Sequence, residues 1–412
     1  MLNINCSIMK KNVFSFLFAC IAYFSANAQW STVNYTYSME VYDLHFINEQ
    51  VGFAAGYHQV YKTPDGGQNW ILIADNVFIN GPVGVWFFDE NIGLIIGSDG
   101  GGYPQVSKTI NGGNSWSTST LPVSSMDFND PNKIFFFDNN TGYIVCRSGY
   151  IYKTVNQGAD WTQLTSGVTD DLGSVYFPTA NIGYVTLEYS HFFLKTINGG
   201  NSWTMLNTGQ LSSVYDVYFT SADTGYFACS NSKILMTTNG GASWSAFDFG
   251  TSDYFYTIEF TSKNVGYTAG SSGTIVATTN GGITWLPIPS GINKLLYCMD
   301  FPSPLVGYIG TLDLPPAIIK TTNGGGIYSI GNLNGNTYIS LQPNPADDVV
   351  TVSSTRVMVG SEYYFIDQQG KVALSGKITG EKMHIDVRQL VTGVYIFRLG
   401  EQNMQGLKLN KK

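Results

Sequence analysis

The residues of this 412-residue chain that could do chemistry are mostly carboxylates. Residues 29–330 hold 22 acidic and 10 basic side chains, a net of −12, whereas residues 331–412 hold 9 basic and 7 acidic, a net of +2. Two carboxylates about 5 to 10 Å apart can hydrolyse a glycoside, but no spacing here marks such a pair. The chain has four histidines and neither HExxH nor CxxC, so a zinc site has almost nothing to be made from. No Ser-His-Asp arrangement or phosphate loop has a recognisable context. The reading is therefore no catalytic residue, no metal and no cofactor. An acidic surface also repels phosphate backbones and anionic lipid, which excludes nucleic acid and membrane surfaces as partners. What remains is binding. Tyr57, His58, Tyr103, Arg147, Tyr150, Glu188, His191, Asp253, Tyr254 and Asp313 fall in loops that differ from one another, and exposed rings there can stack on sugars or peptides.

The elements that must position these loops are copies of one unit. Thr-x-Asn/Asp-x-Gly-x-x-Trp occurs seven times: Thr63, Asp65 and Trp70; then Asn111 and Trp116, Asn156 and Trp161, Asn198 and Trp203, Asn239 and Trp244, Asn280 and Trp285, and Asn323 with Tyr328 in place of Trp. Counting Trp30, the aromatic positions recur every 40 to 46 residues. A second element precedes each box, running from a Phe to Gly plus an aromatic or Leu, as in Phe46 to Phe53, Phe136 or Phe137 to Tyr143, and Phe219 to Tyr226. Alternating runs such as Val214 to Phe219 are the period-2 pattern of half-buried strands, and no window is helical. Four short strands per unit predict an all-β protein: a seven-bladed β-propeller over residues 29–330, then a small β-sandwich. The strand at Trp30 lacks a box, so it is expected to complete the blade carrying the Thr321 box and close the ring. Six or eight blades are the alternatives, because the seventh box is degenerate. The candidate loops lie on the face opposite the boxes.

Within the box, Thr and Asn/Asp can bond loop backbone, the glycines permit positive φ, and Trp packs between blades. These residues resemble the Asp-box, or bacterial neuraminidase repeat, of sialidases, some glucanases, sorting receptors and the photosystem II assembly/stability factor family. The last is the nearest likeness, through its Gly-Tyr strand followed by Lys-Thr-Thr-Asn-Gly-Gly. A sialidase likeness would imply an arginine triad, which Arg147, the one arginine before residue 330, cannot supply. The glucanases resemble tandem propellers, and this chain has one ring. The photosystem-factor relatives imply an arginine patch that is missing here, so their partner does not carry over. Six of the seven boxes carry Asn instead of Asp, which argues against calcium.

At the N-terminus, Lys10-Lys11, the apolar run Val13 to Phe24 and Ala26-Asn27-Ala28 read as a secretory signal peptide over residues 1–28, with Met9 a more natural start. The run is too short for a spanning helix, and Phe18 spoils a lipobox at Cys20. Cys146, Cys229 and Cys298 remain after cleavage. Cys146 and Cys229 sit in non-adjacent repeats beyond disulfide reach, so buried free thiols are expected, against one unpredicted bridge.

After Tyr328 a Gly/Asn-rich stretch, 331–336, reads as a linker. Residues 337–412 then give about seven strands, with Pro343-Asn344-Pro345, Gly370, Gly393, Tyr395 and a final Lys408-Leu409-Asn410-Lys411-Lys412. In that order they resemble the type A C-terminal sorting domain of the Bacteroidetes type IX secretion system. The resemblance implies a transport address read by that machinery after passage through the periplasm, with release or cell-surface attachment. The expected function is a secreted, non-enzymatic propeller that binds an extracellular glycan or protein without entering a membrane. A glycan-active hydrolase of the same fold is the alternative.

Overall fold

The computed structural model describes residues 30–33, 40–123, 129–326, 330–333, 337–342, 346–354, 360–367, 371–380, 382–399 and 407–411. The leader, Tyr328, Pro343-Asn344-Pro345 and Gly370 lie outside them. Seven four-stranded antiparallel sheets, six of them paired in chain order, form the propeller blades. Blade 1 runs from Val41–Phe46 to Ile71–Asp75, blade 2 from Asn80–Phe87 to Ser117–Thr120, and blade 3 from Pro131–Phe136 to Thr162–Leu164. Blades 4, 5 and 6 begin at Leu172–Tyr176, Val214–Phe219 and Phe255–Phe260. Blade 7 takes Leu296–Asp300, Gly307–Thr311 and Ile318–Thr321 from one end of the propeller and Ser31–Thr32 from the other. Ser31 pairs with Lys320 and Thr32 with Ile319, so the N-terminal strand closes the ring as the repeat phase requires. The first strand of each blade packs on the first strand of the next around a central axis.

The repeated motifs are the joints between blades. In Phe…Gly-Tyr, the Phe ring lies over the Gly: a Cβ on Gly183 would sit 2.3 Å from the Phe177 ring, and one on Gly266 2.6 Å from Phe260. The same ring stacks on the Tyr of the preceding blade, Phe177 on Tyr143 at 3.9 Å and Phe219 on Tyr184 at 3.8 Å. The box Trp meets it edge-on, as Trp203 meets Phe177 at 5.9 Å. Each Tyr hydroxyl then donates to a carbonyl in the next box, from Tyr184 to Gly240 at 3.0 Å and from Tyr267 to Gly324 at 2.7 Å. In blades 3, 4 and 7 the Lys before the Thr donates to the same carbonyl, as Lys195 does to Gly240 at 2.6 Å. Blade 7 repeats the joint across the closure, with Tyr308 and Lys320 both donating to Gly66 O.

Inside each box, Thr Oγ1 accepts from the second Gly N–H, as in Thr154 from Gly158 at 3.0 Å, and donates to the Asn or Asp Oδ1. That Oδ1 also accepts the N–H four residues on, for example from Ser202 to Asn198 at 2.9 Å. An amide oxygen does this as well as a carboxylate, which explains the Asn substitutions. Where Asn stands, its Nδ2 donates to a hydroxyl or carboxylate at that fourth residue, Ser115, Asp160, Ser202, Ser243 or Thr284. Where Asp65 stands, the direction reverses and Asn69 donates to it. Among the described residues no group of three His, Cys, Asp or Glu side chains is placed to hold a metal ion. Cys146, Cys229 and Cys298 are buried free thiols.

The C-terminal region forms two sheets. Leu341, Val350 and Ile385 of one pack with Phe365, Phe397 and Leu409 of the other in a single core, the face-to-face packing of a sandwich. Tyr395, within the strand Gly393–Leu399, donates to Val391 O at 2.8 Å. Lys408 lies in the last strand, which pairs with Gly393–Leu399. The boundary differs from the composition reading. The strand Ile330–Leu333 overlaps the 331–336 linker and pairs with Thr337–Gln342, so residues 331–333 are strand and not tether. Composition alone does not separate a strand from a tether when Gly and Asn fill both.

Candidate ligand face and axial channel

The first strand of every blade starts on the face opposite the boxes, and in all seven a register irregularity falls near that start, as between Val41 and Asp43 or Val214 and Asp216. A bulge re-aims side chains. Tyr42, Tyr215, Tyr256 and Tyr297 occupy the second position of the strand in blades 1, 5, 6 and 7 and meet around the mouth of the axial channel. Tyr42 lies 6.5 Å from Tyr297, Tyr297 5.8 Å from Tyr256, and Tyr256 5.2 Å from Tyr215. Two loop tyrosines extend the series: Tyr254 stacks on Tyr256 at 6.0 Å and Tyr189 meets Tyr215 edge-on at 6.3 Å. Tyr57 is close enough to bear electrostatically on Tyr42. The result is an arc of seven tyrosines over blades 4, 5, 6, 7 and 1. Tyr189 is 78% exposed, Tyr57 53% and Tyr254 38%. Burial pushes the phenols of Tyr42, Tyr215 and Tyr297 up to about 12, with carboxylates or other tyrosines adding to the shift, so they remain neutral donors.

Across the mouth, blades 3 and 4 are polar. Asn132 donates to Glu188 Oε1 at 3.1 Å and to Leu172 O at 2.7 Å. Burial raises the pKa of Glu188, Arg147 opposes this and Asp171 adds to it. Arg147 pairs with Asp130 at 3.6 Å. Outside the arc, beside Ser148, a recess of about 850 Å³ opens between Tyr150 and Thr165 to Asp170. Its lining is chiefly small and polar, with Asp170 the one charged group.

Below the mouth the channel holds Asp43, Lys133, Asp216, Glu259 and Asp300. Each carboxylate grips the backbone of the following blade: Asp43 accepts from Val85 N–H at 3.0 Å, Asp216 from Ile258 at 2.9 Å, Glu259 from Phe301 at 3.2 Å, and Asp300 from Phe46. His45 and Tyr218 do the converse, meeting the carbonyls of Phe87 and Phe260, both at 2.9 Å. Burial lowers His45 to about 4, so it is neutral, and its Nε2 must carry the proton that faces Phe87 O. Lys133 reaches Asp43 at 2.8 Å. Burial would lower the Lys133 pKa, but Asp43 and Asp216 more than offset this and hold the ammonium charged. Asp300 is pushed up by burial to about 7, and Glu259 is raised well above the usual carboxylate range, first by burial and then by Asp300. These carboxylates are inter-blade clamps: Asp43 and Asp216 have both oxygens bonded, and Glu259 and Asp300 each hold a backbone N–H of the next blade through one oxygen.

Of the loop residues singled out by sequence, Tyr57 and Tyr254 fall in the arc, and Glu188 and Arg147 lie on its polar side. His58 turns its ring toward Phe78 O at 3.3 Å, and His191 packs against Phe192 at 4.5 Å. Asp253 accepts from Thr251, and Asp313 accepts from Leu295 N–H. Tyr103 is half-buried in the Asp99 turn, away from the others. Tyr150 is a correction: it is 7% exposed and stacks with Tyr152 at 6.3 Å, because the positive-φ turn Ser148-Gly149 folds it into the core between blades 2 and 3. Tyr42, Tyr215, Tyr256, Tyr297 and the channel cluster were not singled out. In sequence they are ordinary alternating members of strands.

Fold and joints together define an Asp-box β-propeller. The chain belongs to the photosynthesis system II assembly factor YCF48 family, whose model matches residues 23–176 and 195–289. Residues 340–410 match the secretion system C-terminal sorting domain. No curated protein matches the chain. Among solved structures, YCF48 bound to D1 peptide superposes with TM-score 0.59 at 20% identity, covering 72% of this chain and 97% of that one. YCF48 from Cyanidioschyzon merolae gives 0.58 at 19%, covering 71% and 98%. The GH74 xyloglucanase from Xanthomonas campestris gives 0.55 at 10%, covering 79% of this chain and 65% of that one, a likeness of fold. Kinship with the non-catalytic YCF48 propellers supports a non-enzymatic role, and the sorting domain links the protein to the type IX machinery and the cell exterior by way of the periplasm. No helix among the described residues is long and apolar enough to cross a membrane.

Proposed function

We propose that the protein, freed of residues 1–28, works outside the cell as a binding module whose loop face, centred on the tyrosine arc, captures an extracellular polymer. The observation that carries this is the concentration of exposed rings around one mouth while the other face repeats a closed structural box. A propeller of the same family is solved with a peptide bound, which supports an extended polypeptide as a fitting ligand for the fold. A hydrolase would need a carboxylate pair turned to substrate, whereas each channel carboxylate holds a backbone N–H of the neighbouring blade.

The test is a binding and turnover screen of the mature chain against peptide and polysaccharide arrays. Capture without turnover, lost in Tyr256→Ala, is the expected result; released sugar that disappears on substituting Glu259 or Asp300 would restore the hydrolase. Residues 337–412 are read as the export unit, so their deletion is expected to leave the propeller in the periplasm, as cell fractionation would show.

A further inference from the structure

The two faces carry different charge. On the box side, seven carboxylates are matched by six lysines, Lys62, Lys108, Lys153, Lys195, Lys263 and Lys320. On the loop side the described residues include ten carboxylates against Arg147, Lys233 and Lys294. Those three cations are already engaged: Arg147 with Asp130 at 3.6 Å, Lys233 with Asp248 at 3.5 Å, and Lys294 on Pro315 O at 2.7 Å. The surplus surrounds the arc itself. Tyr42 donates to Glu40 at 3.2 Å, and Glu188 is near enough to act electrostatically on both Tyr215 and Tyr297.

We infer that the arc is a recognition site for an extended polypeptide bearing arginine or lysine, the cation docking over the Tyr215, Tyr254 and Tyr256 rings beside Glu188. A neutral tyrosine presents a negative π-face that attracts a cation, most strongly where water is partly excluded. Several rings at 5 to 6 Å separation form such a surface, and arginine also stacks on it through its flat guanidinium. Glu188 is half-buried with a single side-chain donor, Asn132, on Oε1. A guanidinium at the rim would replace the water this carboxylate has lost. An anionic ligand meets the opposite: a surplus of carboxylates, and among the described residues cations that are each already engaged, Arg147 bearing on Glu188 as well as on Asp130. A neutral glycan would use the rings and leave the charge unused. This inference rests on the loop face being the binding face, and it adds the chemistry of the ligand.

The experiment measures, by fluorescence anisotropy, binding of the mature full-length chain to labelled Gly/Ser peptides carrying arginine, lysine, glutamate or no charged residue. Arginine peptides are expected to bind best, lysine peptides next, and glutamate peptides not at all, with affinity falling as salt is raised. Glu188→Gln is expected to weaken arginine-peptide binding by about tenfold and to leave an uncharged peptide unaffected. Tyr256→Ala should abolish binding and Tyr256→Phe should largely preserve it, since the ring face is what counts; the Phe variant keeps the test valid if the Ala variant fails to fold. Equal affinity for arginine-bearing and uncharged peptides, or indifference to Glu188→Gln, would overturn the cationic ligand while leaving the face standing. Binding of a glycan probe alone, lost in Tyr256→Ala, would do the same. Peptide binding untouched by substitutions at Tyr215, Tyr254 and Tyr256 together would remove the face itself.

Discussion

The two ends of the propeller are built from the same strands and obey different rules. At the box end the same hydrogen-bonded loop recurs, and side chains of the neighbouring blade fasten to it, a Tyr and a Lys together at Gly66, Gly199 and Gly240 and a Tyr alone at Gly281 and Gly324. At the loop end the connections differ, rings stand exposed and the charge is lopsided. The box side chains recur because the loop they close recurs. Side chains that meet a partner need to appear only where the partner lies. Uniformity therefore marks the structural end of this molecule, and irregularity marks the end open to a ligand.

The strongest way to break the contrast is to attack the closure. Trp30 is 1% exposed and anchors the N-terminal strand against Phe301 at 5.8 Å. Trp30→Ala is expected to cost about 3–5 kcal/mol, as removal of a fully buried large aromatic does. Chemical denaturation would show it as a lowered midpoint, and an unchanged midpoint would mean that the clasp is dispensable.

The next effect tests the channel through pH. Burial raises Asp300 from its ordinary value of 3.8 to about 7, so the native state holds a proton that the unfolded chain has already lost. The stability this contributes is complete below about pH 4 and is lost as pH rises through about 7. Glu259 is displaced in the same direction, Asp43 and Asp216 add negative charge, and Lys133 opposes it. The melting temperature is expected to fall between pH 5 and pH 8 by more than in Asp300→Asn, which keeps an acceptor for Phe46 N–H and cannot ionise. Parallel curves for the two proteins would refute the shifted carboxylate.

The smallest effect sharpens the comparison from the other side. Tyr189 is 78% exposed, so Tyr189→Ala is expected to change stability by under about 0.5 kcal/mol. The same substitution should weaken capture of a partner. A large loss of stability would show that the arc serves the fold.

The legibility of the two ends differs for the same reason. Thr154, Asn156 and Trp161 stand at fixed spacing because the box is local, closed by bonds spanning four residues. Repetition made Trp30 readable as the missing strand of the last blade. The arc joins Tyr42 to Tyr297, 255 positions apart, across a closure that no local pattern encodes. Asp43, Asp216, Glu259 and Asp300 sit where an isolated strand would turn its polar side to water, and only the ring makes that side an enclosed channel. Tyr150 failed in the other direction, since a turn at Ser148-Gly149 returned an apparent loop residue to the core.

By itself the sequence determined the number of blades, the box and the sorting domain, because each rests on contacts that recur with the repeat or follow one another along the chain. Tertiary structure alone decided which tyrosines share a surface and which carboxylates lose their water. Both depend on distances set when seven blades close around one axis, and neighbourhood across that axis bears no relation to neighbourhood along the chain.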